Sequence, residues 1–214
     1  MATTLDISMS LDGCIAGQNQ TVDEPLGEGG EQLHEWIFGL ASWRARHGRS
    51  GGVTNADSDV VQESVDATGA VVMGRRMFSG GQGSWESDPV AGGWWGEEPP
   101  FGVPVFVLTH HSRPPLELQG ETAFTFVTEG VEAALEQARA AAGERNVAVA
   151  GGANVVQQFL AAGLLDEIQI HLVPVLLGDG VRLFGGAGDQ APGLELTRVI
   201  DSPTVTHLRY RVAS

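Results

Sequence analysis

Residues 147–156, with the sequence VAVAGGANVV, constrain the fold of this chain more than any other stretch. An apolar run of strand length is interrupted by Gly151 and Gly152 and then continues with helix-forming residues. A strand, a glycine turn and a helix N-terminus in this order present unpaired backbone N–H groups at the positive end of the helix dipole. This arrangement suits a phosphate or pyrophosphate group, but a glycine pair after a strand more often forms an ordinary tight turn.

Composition indicates one globular core. The 214 residues are 42% hydrophobic and 18% charged, which predicts a single domain over residues 1–214. The first residues lack the basic and apolar pattern of a signal peptide, and no apolar run reaches the roughly 20 residues of a membrane helix. We therefore expect a cytoplasmic location. Cys14 is the single cysteine, so an intrachain disulfide is excluded and a buried core position is expected.

Charge narrows the choice of ligands. A net charge of −15 argues against nucleic acid and against an anionic membrane as partners, because both require a basic surface. All 12 basic residues are arginine, so the absence of lysine excludes Schiff-base chemistry and a Walker-type phosphate loop. An anionic ligand would have to be held by arginine, backbone N–H groups or helix ends.

The hydrophobic pattern predicts alternating strands and helices followed by strands alone. Predicted strands cover residues 5–11, 70–73, 103–108 and 122–127, and a further strand–helix unit covers 146–162. Apolar residues at helical spacing occur in 33–43, 57–68 and 131–142. The C-terminal strands 167–175, 195–200 and 204–212 have no helix between them, which is typical of an antiparallel edge.

Polar or glycine-rich segments follow four of the predicted strands, namely 12–13, 74–76, 109–113 and 151–152. In α/β proteins ligands bind outside the carboxyl ends of parallel strands, so these segments predict one shared site. The three spaced glycines of the usual dinucleotide fingerprint are absent, which disfavours a standard doubly wound dehydrogenase. Residues 80–102 are rich in Gly, Pro and Trp and are predicted to form a long surface loop.

Several motifs in this order resemble the dihydrofolate reductase-like superfamily. They are SLDGCIAG at 10–17, VMGRRMF at 72–78, PVFVLT at 104–109, AGGA at 150–153, PVLLGDG at 174–180 and LF at 183–184. Within that superfamily the chain is similar to the riboflavin-biosynthesis reductase C-terminal domain and its stand-alone relatives. The resemblance implies a three-layer α/β/α fold with a mainly parallel central sheet and an antiparallel C-terminal edge. It also implies NADPH as hydride donor and a homodimer.

The resemblance places a cofactor site on these motifs. Gly74 would let the backbone turn closely, and Arg75 or Arg76 would meet cofactor phosphates, although both arginines could instead balance an acidic surface. The segment after 108 would hold the adenosine ribose and the extra phosphate of NADPH. The full set of expected cofactor contacts is Ile15, Ala16, Gly17, Gly74, Arg75, Arg76, Thr109, Ser112, Arg113, Gly151, Gly152, Ala153, Asn154 and Val155.

The proton donor is not identified by the sequence. Asp12, Glu31 and Glu35 are weak candidates, and the two glutamates could equally be solvated carboxylates of a first helical turn. No metal is expected, because the adjacent His110 and His111 project differently and spacing supplies no third ligand.

The expected activity is NADPH-dependent reduction of a C=N or C=O bond in a small heterocycle. The resemblance favours a 5-amino-6-(5-phosphoribosylamino)uracil reductase-like reaction, for which Arg44, Arg46 and Arg49 would offer a second phosphate site or would merely coat an exposed helix. Alternatives are a dihydrofolate or pterin reductase and a non-catalytic nucleotide-binding or dimerising module. Trp94 and Trp95 in the long loop would suit a lid over a planar substrate.

Overall fold

The computed structural model describes residues 1–81, 83–184 and 192–213, and most of its strands join one nine-stranded sheet. The strands in these ranges are β1 (Thr3–Ser10), β2 (Cys14–Ala16), β3 (Thr68–Gly74), β4 (Val105–Leu108), β5 (Leu116–Glu117), β6 (Ala123–Val127), β7 (Asn146–Gly151), β8 (Glu167–Val173), β9 (Val181–Arg182), β10 (Leu194–Asp201) and β11 (Thr206–Val212). The order in the large sheet is β10-β11-β8-β1-β7-β3-β4-β6-β5.

The helices are short, and they connect or cover the strands. They are α1 (Glu35–Phe38), α2 (Ala41–Arg46), α3 (Ala56–Ala67), α4 (Arg75–Ser79), α5 (Val131–Ala142) and α6 (Ala153–Ala161), with 3-10 turns at Gly30–Leu33 and Trp85–Ser87. In the ranges that the structure describes, every helix is too short or too polar to cross a lipid bilayer.

The centre of the sheet is parallel and its ends are antiparallel. Strands β8, β1, β7, β3, β4 and β6 pair in parallel, whereas β5 at one end and β11 with β10 at the other pair antiparallel. The predicted mainly parallel sheet with an antiparallel C-terminal edge is thereby confirmed. Because the six parallel strands run the same way, their carboxyl ends all lie at one edge of the sheet, which we call the carboxyl edge.

The two faces of the sheet are covered differently. On the side that we call the α5 face, α5 and α6 pack their Leu135 and Phe159 on Leu5, Val149 and other buried strand residues. On the opposite side, the α3 face, helices α1 to α3 cover β8 and β11, while α4 and the loop 80–102 cover β3 and β4. Apolar residues of β1 point to the α5 face, and its alternate polar residues point to the α3 face.

The structure corrects one helix and adds a small sheet. Spacing in 33–43 predicted a continuous helix, but the segment is divided into a 3-10 turn, α1 and α2. The division occurs at Gly39 and Leu40, because Leu40 adopts an extended backbone and forms a bridge to Val53. The sequence also did not predict that β2 and β9 pair as a separate two-stranded sheet, in which Cys14 is fully buried.

Candidate active site

The carboxyl edge brings together three of the four segments that follow predicted strands. Gly74 at the end of β3 lies directly beside Gly151 and Gly152 after β7. A Cβ atom at Gly74 would lie 2.9 Å from Val155 Cγ2 and 3.7 Å from the Gly152 nitrogen. A side chain at position 74 would therefore press on Val155, and glycine allows the close approach of β3 to the start of α6.

The glycine turn at the end of β7 faces open space. The Gly151–Gly152 peptide bond is cis, and Gly151 has a φ of 121°. A Cβ atom at Gly152 would meet no atom within 4 Å. Ala153 and Asn154 begin α6 immediately afterwards, so the unpaired N–H groups of its first turn lie beside this space. The geometry is that of an anion-accepting helix start.

The two arginines that follow β3 have different surroundings. Arg75 is buried; its Nη2 donates to Asp88 Oδ2 at 2.6 Å, and its Nε donates to Ser79 Oγ at 3.2 Å. Arg75 Nη1 is buried without a hydrogen-bond partner among the described residues. Arg76 is exposed and lines a cavity of about 420 Å³ together with Gln20, Thr21, Val22, Pro25, Gly80 and Trp94.

The turn after β4 holds a second guanidinium. Arg113 donates through Nη1 to the carbonyl of Ala91, and its Cζ lies 4.6 Å from the ring centroid of Trp85. Burial lowers the pKa of Arg113, and the charge of Arg75 lowers it further. Thr109 is buried and its Oγ1 accepts a hydrogen bond of 3.1 Å from the His111 N–H, whereas Ser112 is exposed.

Trp85 links the long loop to this turn. The Arg75 Cζ lies only 3.2 Å from the Trp85 ring centroid, so both guanidinium groups contact one indole. The indole Nε1 donates to the His111 carbonyl at 2.7 Å. Trp85, Arg75 and Arg113, with Asp88 as the carboxylate that pairs with Arg75, form what we call the arginine corner. The loop 80–102 is thus attached to the carboxyl edge, and Trp94 lines the cavity beside it.

The segment 15–17 is held by backbone contacts. Ile15 and Ala16 are buried in β2, and Ala16 pairs with Val181 of β9. A Cβ atom at Gly17 would lie 2.0 Å from the Glu28 carbonyl oxygen, so the residues after β2 fold tightly against the loop that precedes the first 3-10 turn.

The three candidate proton donors lie in different places. Asp12 accepts hydrogen bonds from Ser10 Oγ at 2.5 Å and from the Gly178 N–H at 2.7 Å. The Ser10 hydrogen bond, with those of the 177–178 backbone, lowers the pKa of Asp12 to about 2. Asp12 thus fastens the loop after β8 to the end of β1, while Glu31 and Glu35 are exposed at helix starts. The structure does not bring these three carboxylates together.

A buried polar chain on the α3 face was missed by sequence reasoning. His171 of β8 and His207 of β11 face each other with 2.7 Å between their Nδ1 atoms. The Nε2 atom of His171 contacts Asp6 Oδ1, and the Nε2 atom of His207 lies 2.9 Å from Asp57 Oδ1. We call these four residues the Asp–His–His–Asp chain. The Trp36 ring contacts His171 in a tilted and His207 in an edge-on arrangement, with centroid distances of 4.8 and 5.3 Å.

Charge and burial set the protonation of this chain. Burial alone would raise the pKa of Asp6, but the charge of His171 and hydrogen bonds from His171, Ser64 and Gln169 together lower it to about 2. Burial lowers the pKa of His207 despite its hydrogen bond to Asp57. The sequence signal was a histidine in the middle of the apolar strand 167–173, together with an aspartate inside the first strand.

The three arginines of the second helical segment do not form one cluster. Arg44 donates two hydrogen bonds to the Ser50 carbonyl, at 2.9 and 3.0 Å, and Arg49 is exposed. Arg46 turns toward the sheet, where its Nε donates to the Pro100 carbonyl at 2.8 Å. Burial lowers the pKa of Arg46, and the negative charge of Asp6 partly opposes that shift.

Solved structures share this fold across the whole chain. A protein from Shewanella sp. PV-4 with a provisional riboflavin-biosynthesis name matches with a TM-score of 0.64 at 23% identity, and each chain is covered completely. A Thermotoga maritima diaminohydroxyphosphoribosylaminopyrimidine deaminase/5-amino-6-(5-phosphoribosylamino)uracil reductase matches with a TM-score of 0.56 at 16% identity. The match covers 99% of this chain and 56% of the Thermotoga chain. RibD from Acinetobacter baumannii gives a TM-score of 0.55 at 18% identity, with 99% of this chain and 58% of that chain covered.

Sequence comparison gives one short match and one long match. The uncharacterized protein YwjB of Bacillus subtilis is 38% identical over 60 residues, a segment that spans 28% of this chain and 34% of YwjB. The sequence model of the RibD C-terminal domain matches residues 2–208, which include β1, the carboxyl edge and the Asp–His–His–Asp chain. With nearly every residue matched and the parallel sheet in place, the chain belongs to the RibD C-terminal domain family.

Proposed function

We propose that this protein is an NADPH-dependent reductase of a small heterocycle, with a 5-amino-6-(5-phosphoribosylamino)uracil reductase-like reaction as the first candidate. Membership of the RibD C-terminal domain family supports a reductase of the riboflavin-pathway type. The Thermotoga protein that shares the fold carries this reductase activity in its name. The cofactor, the substrate and the bond that is reduced belong to the proposal.

The arginine corner is the observation that carries the choice of cofactor. Two guanidinium groups meet at Trp85, and Asp88 is the one carboxylate that forms an ion pair there among the described residues. This leaves surplus positive charge at the carboxyl edge of a chain whose net charge is −15. A phosphate group would satisfy that charge, and Arg113 with the exposed Ser112 offers donors for the 2′-phosphate that distinguishes NADPH from NADH.

The other proposed cofactor contacts also lie near the carboxyl edge. The start of α6 and the open space at Gly152 fit a pyrophosphate, and Arg76 would approach it from the neighbouring cavity. Ile15, Ala16 and Gly17 would line the nicotinamide. NADPH supplies the hydride when bound, while these residues fix the ring and exclude water.

Calorimetric titration with NADPH and, separately, with NADH is the first test. Tighter binding of NADPH supports the arginine corner as a phosphate site, whereas equal affinities contradict it. NADPH oxidation with 5-amino-6-(5-phosphoribosylamino)uracil then tests the reaction. If NADPH binds but neither this substrate nor related heterocycles are turned over, the protein would be a nucleotide-binding module and not a reductase.

We also propose a homodimer. Cross-strand partners place Leu194 and Leu196 of β10 on the same face as Val212 and Tyr210 of β11, and Leu194, Leu196 and Val199 are all exposed. Light scattering at several concentrations measures the mass directly, and Leu196→Asp should favour the monomer if this surface is the interface.

A further inference from the structure

The centre of the sheet is only partly covered on the α3 face. Thr4 of β1 pairs with Ala148 of β7, and both are only half-buried although each strand has neighbours on both sides. Ala150 and Asp6 follow on the same face, and the Asp6 side chain keeps 28% of its surface exposed. Helices α1 to α3 cover β8 and β11 while α4 and the loop 80–102 cover β3 and β4, so these half-buried positions of β1 and β7 lie between the two covers. We call Thr4, Asp6, Ala148 and Ala150 the floor of the central trough.

The only charged group on this floor is held rigidly by donors from neighbouring elements. His171 Nε2 contacts one oxygen of Asp6, and the other oxygen accepts from Ser64 Oγ at 2.5 Å and from Gln169 Nε2 at 2.9 Å. These donors come from β8 and α3, so the carboxylate plane is fixed from the buried side. Each carboxylate oxygen has two lone pairs, so Asp6 retains accepting capacity toward the trough.

The rest of the Asp–His–His–Asp chain keeps His171 in its donating state. Both Nε2 atoms face carboxylate oxygens and therefore carry protons, while the facing Nδ1 atoms share one proton between them. Three protons on four ring nitrogens make one imidazolium and one neutral imidazole. His171 Nε2 therefore donates to Asp6 whichever of the two rings holds the shared proton.

A cation of α2 interacts electrostatically with the same carboxylate. Arg46 is anchored by its Nε to the Pro100 carbonyl; burial lowers its pKa, and the negative charge of Asp6 offsets part of that shift. Its two terminal nitrogens make no hydrogen bond within the described part of the chain, which leaves them available to a ligand. The trough thus offers a fixed acceptor and, near it, a donor group.

We infer that Asp6 is a substrate-recognition residue that accepts a hydrogen bond from a ring N–H group of a planar heterocycle, whose carbonyl oxygen meets Arg46. This inference rests on the proposed function and names its substrate class. A substrate phosphate would be repelled by Asp6 and must lie elsewhere. His171, Ser64 and Gln169 act as positioning residues, because they contact Asp6 and not the ligand.

The test uses Asp6→Asn with Asp57→Asn as the matched control. Both changes are isosteric and remove one carboxylate from the same buried chain, but only Asp6 reaches the trough. Asp6→Asn should leave the NADPH dissociation constant within about twofold and raise the KM for 5-amino-6-(5-phosphoribosylamino)uracil by roughly 10- to 100-fold, the loss expected for a hydrogen bond to a charged group. Asp57→Asn should change KM less than about threefold. Equal KM changes in the two variants would overturn the inference.

A binding experiment separates this inference from the proposed reaction. The probes are 5,6-diaminouracil and its 1,3-dimethyl derivative, which lacks both ring N–H donors. Wild-type protein should bind the first probe at least about tenfold more tightly, and Asp6→Asn should abolish the preference while Asp57→Asn retains it. The binding measurement needs no turnover, so it tests the inference even if the protein catalyses a different reaction. The comparison of the two probes on the wild-type protein also remains informative if Asp6→Asn fails to fold. Equal affinity of the wild-type protein for the two probes would contradict the inference.

Discussion

His171 and His207 are cross-strand neighbours whose Nδ1 atoms lie 2.7 Å apart, so a single proton joins the two rings. Adding a second proton between them would place two N–H groups head to head in a buried site. This relationship makes the stability of the paired strands β8 and β11 sensitive to acid.

Stability should therefore fall as the pH drops below the ordinary histidine range. Burial lowers the pKa of His207 from its usual value of 6.5, so the unfolded chain takes up a proton before the folded chain does. The contribution of His207 is complete above pH 6.5 and is lost as the pH falls through the lowered folded pKa. Urea unfolding at a series of pH values from 7.5 to 4.5 measures this slope. His207→Asn should flatten it and the exposed His110→Asn should not; an identical slope in all three proteins would contradict the assignment.

Asp88→Ala should destabilise the fold strongly. The Asp88 side chain is 2% exposed and pairs with Arg75, which is 7% exposed, so the substitution leaves a buried guanidinium without its carboxylate. Loss of one partner of a buried ion pair costs about 3 to 5 kcal/mol in free energy of unfolding. Glu195→Ala is the control, since the Glu195–Arg211 pair is about two-thirds exposed (65% and 64%) and should contribute at most about 1 kcal/mol. Similar losses in the two variants, measured by urea denaturation, would argue against a special role for the arginine corner.

Arg113→Ala should weaken the binding of NADPH but not that of NADH. If Arg113 binds the extra phosphate, NADPH binding weakens by about 1.5 to 3 kcal/mol while NADH binding barely changes. Calorimetry with both cofactors gives the two numbers directly. Arg145→Ala removes an exposed arginine that precedes β7 at the opposite edge of the sheet and should leave both affinities unchanged. Equal weakening of NADPH and NADH by Arg113→Ala would refute the phosphate contact.

Gly152→Val should prevent NADPH from binding. A Cβ at Gly152 projects into open space beside the first turn of α6, where the pyrophosphate is proposed to lie. Gly39 is a matched glycine, because its φ is also negative, at −85°, and a Cβ there meets nothing within 4 Å. We expect Gly152→Val to reduce NADPH affinity at least tenfold and Gly39→Val to leave it unchanged. Unaltered affinity in Gly152→Val would mean that residues 151–152 form only a turn.

The hydrophobic pattern of the sequence correctly predicted several of the helices and strands. The helix expected at 131–142 occurs at α5 with the same bounds, because its apolar stripe packs on a sheet along its full length. The strand and glycine turn at 147–152 also followed from the sequence. The segment 33–43 failed as one helix, since its apolar residues contact helix α3 and the end of β8 from separate short turns.

In the candidate site, too, some features were predicted from the sequence and others were not. The sequence predicted which strand ends carry glycine and arginine, and the parallel sheet put Gly74 beside Gly151 at one edge. It did not predict that Arg75 would be buried against Asp88, because that pairing depends on how the loop 80–102 folds back. The cofactor contacts themselves are still predictions, which the Arg113→Ala and Gly152→Val experiments test.

The sequence by itself determined most of the strands and helices and the chemistry available at each strand end. These properties depend on periodicity, glycine positions and residue type, which act over a few residues. The tertiary structure decided that Asp6 lies against His171, 165 residues away, and that His171 in turn lies against His207. Such neighbours depend on which strands pair and in which register, and the alternation of one strand specifies a face but not its partner.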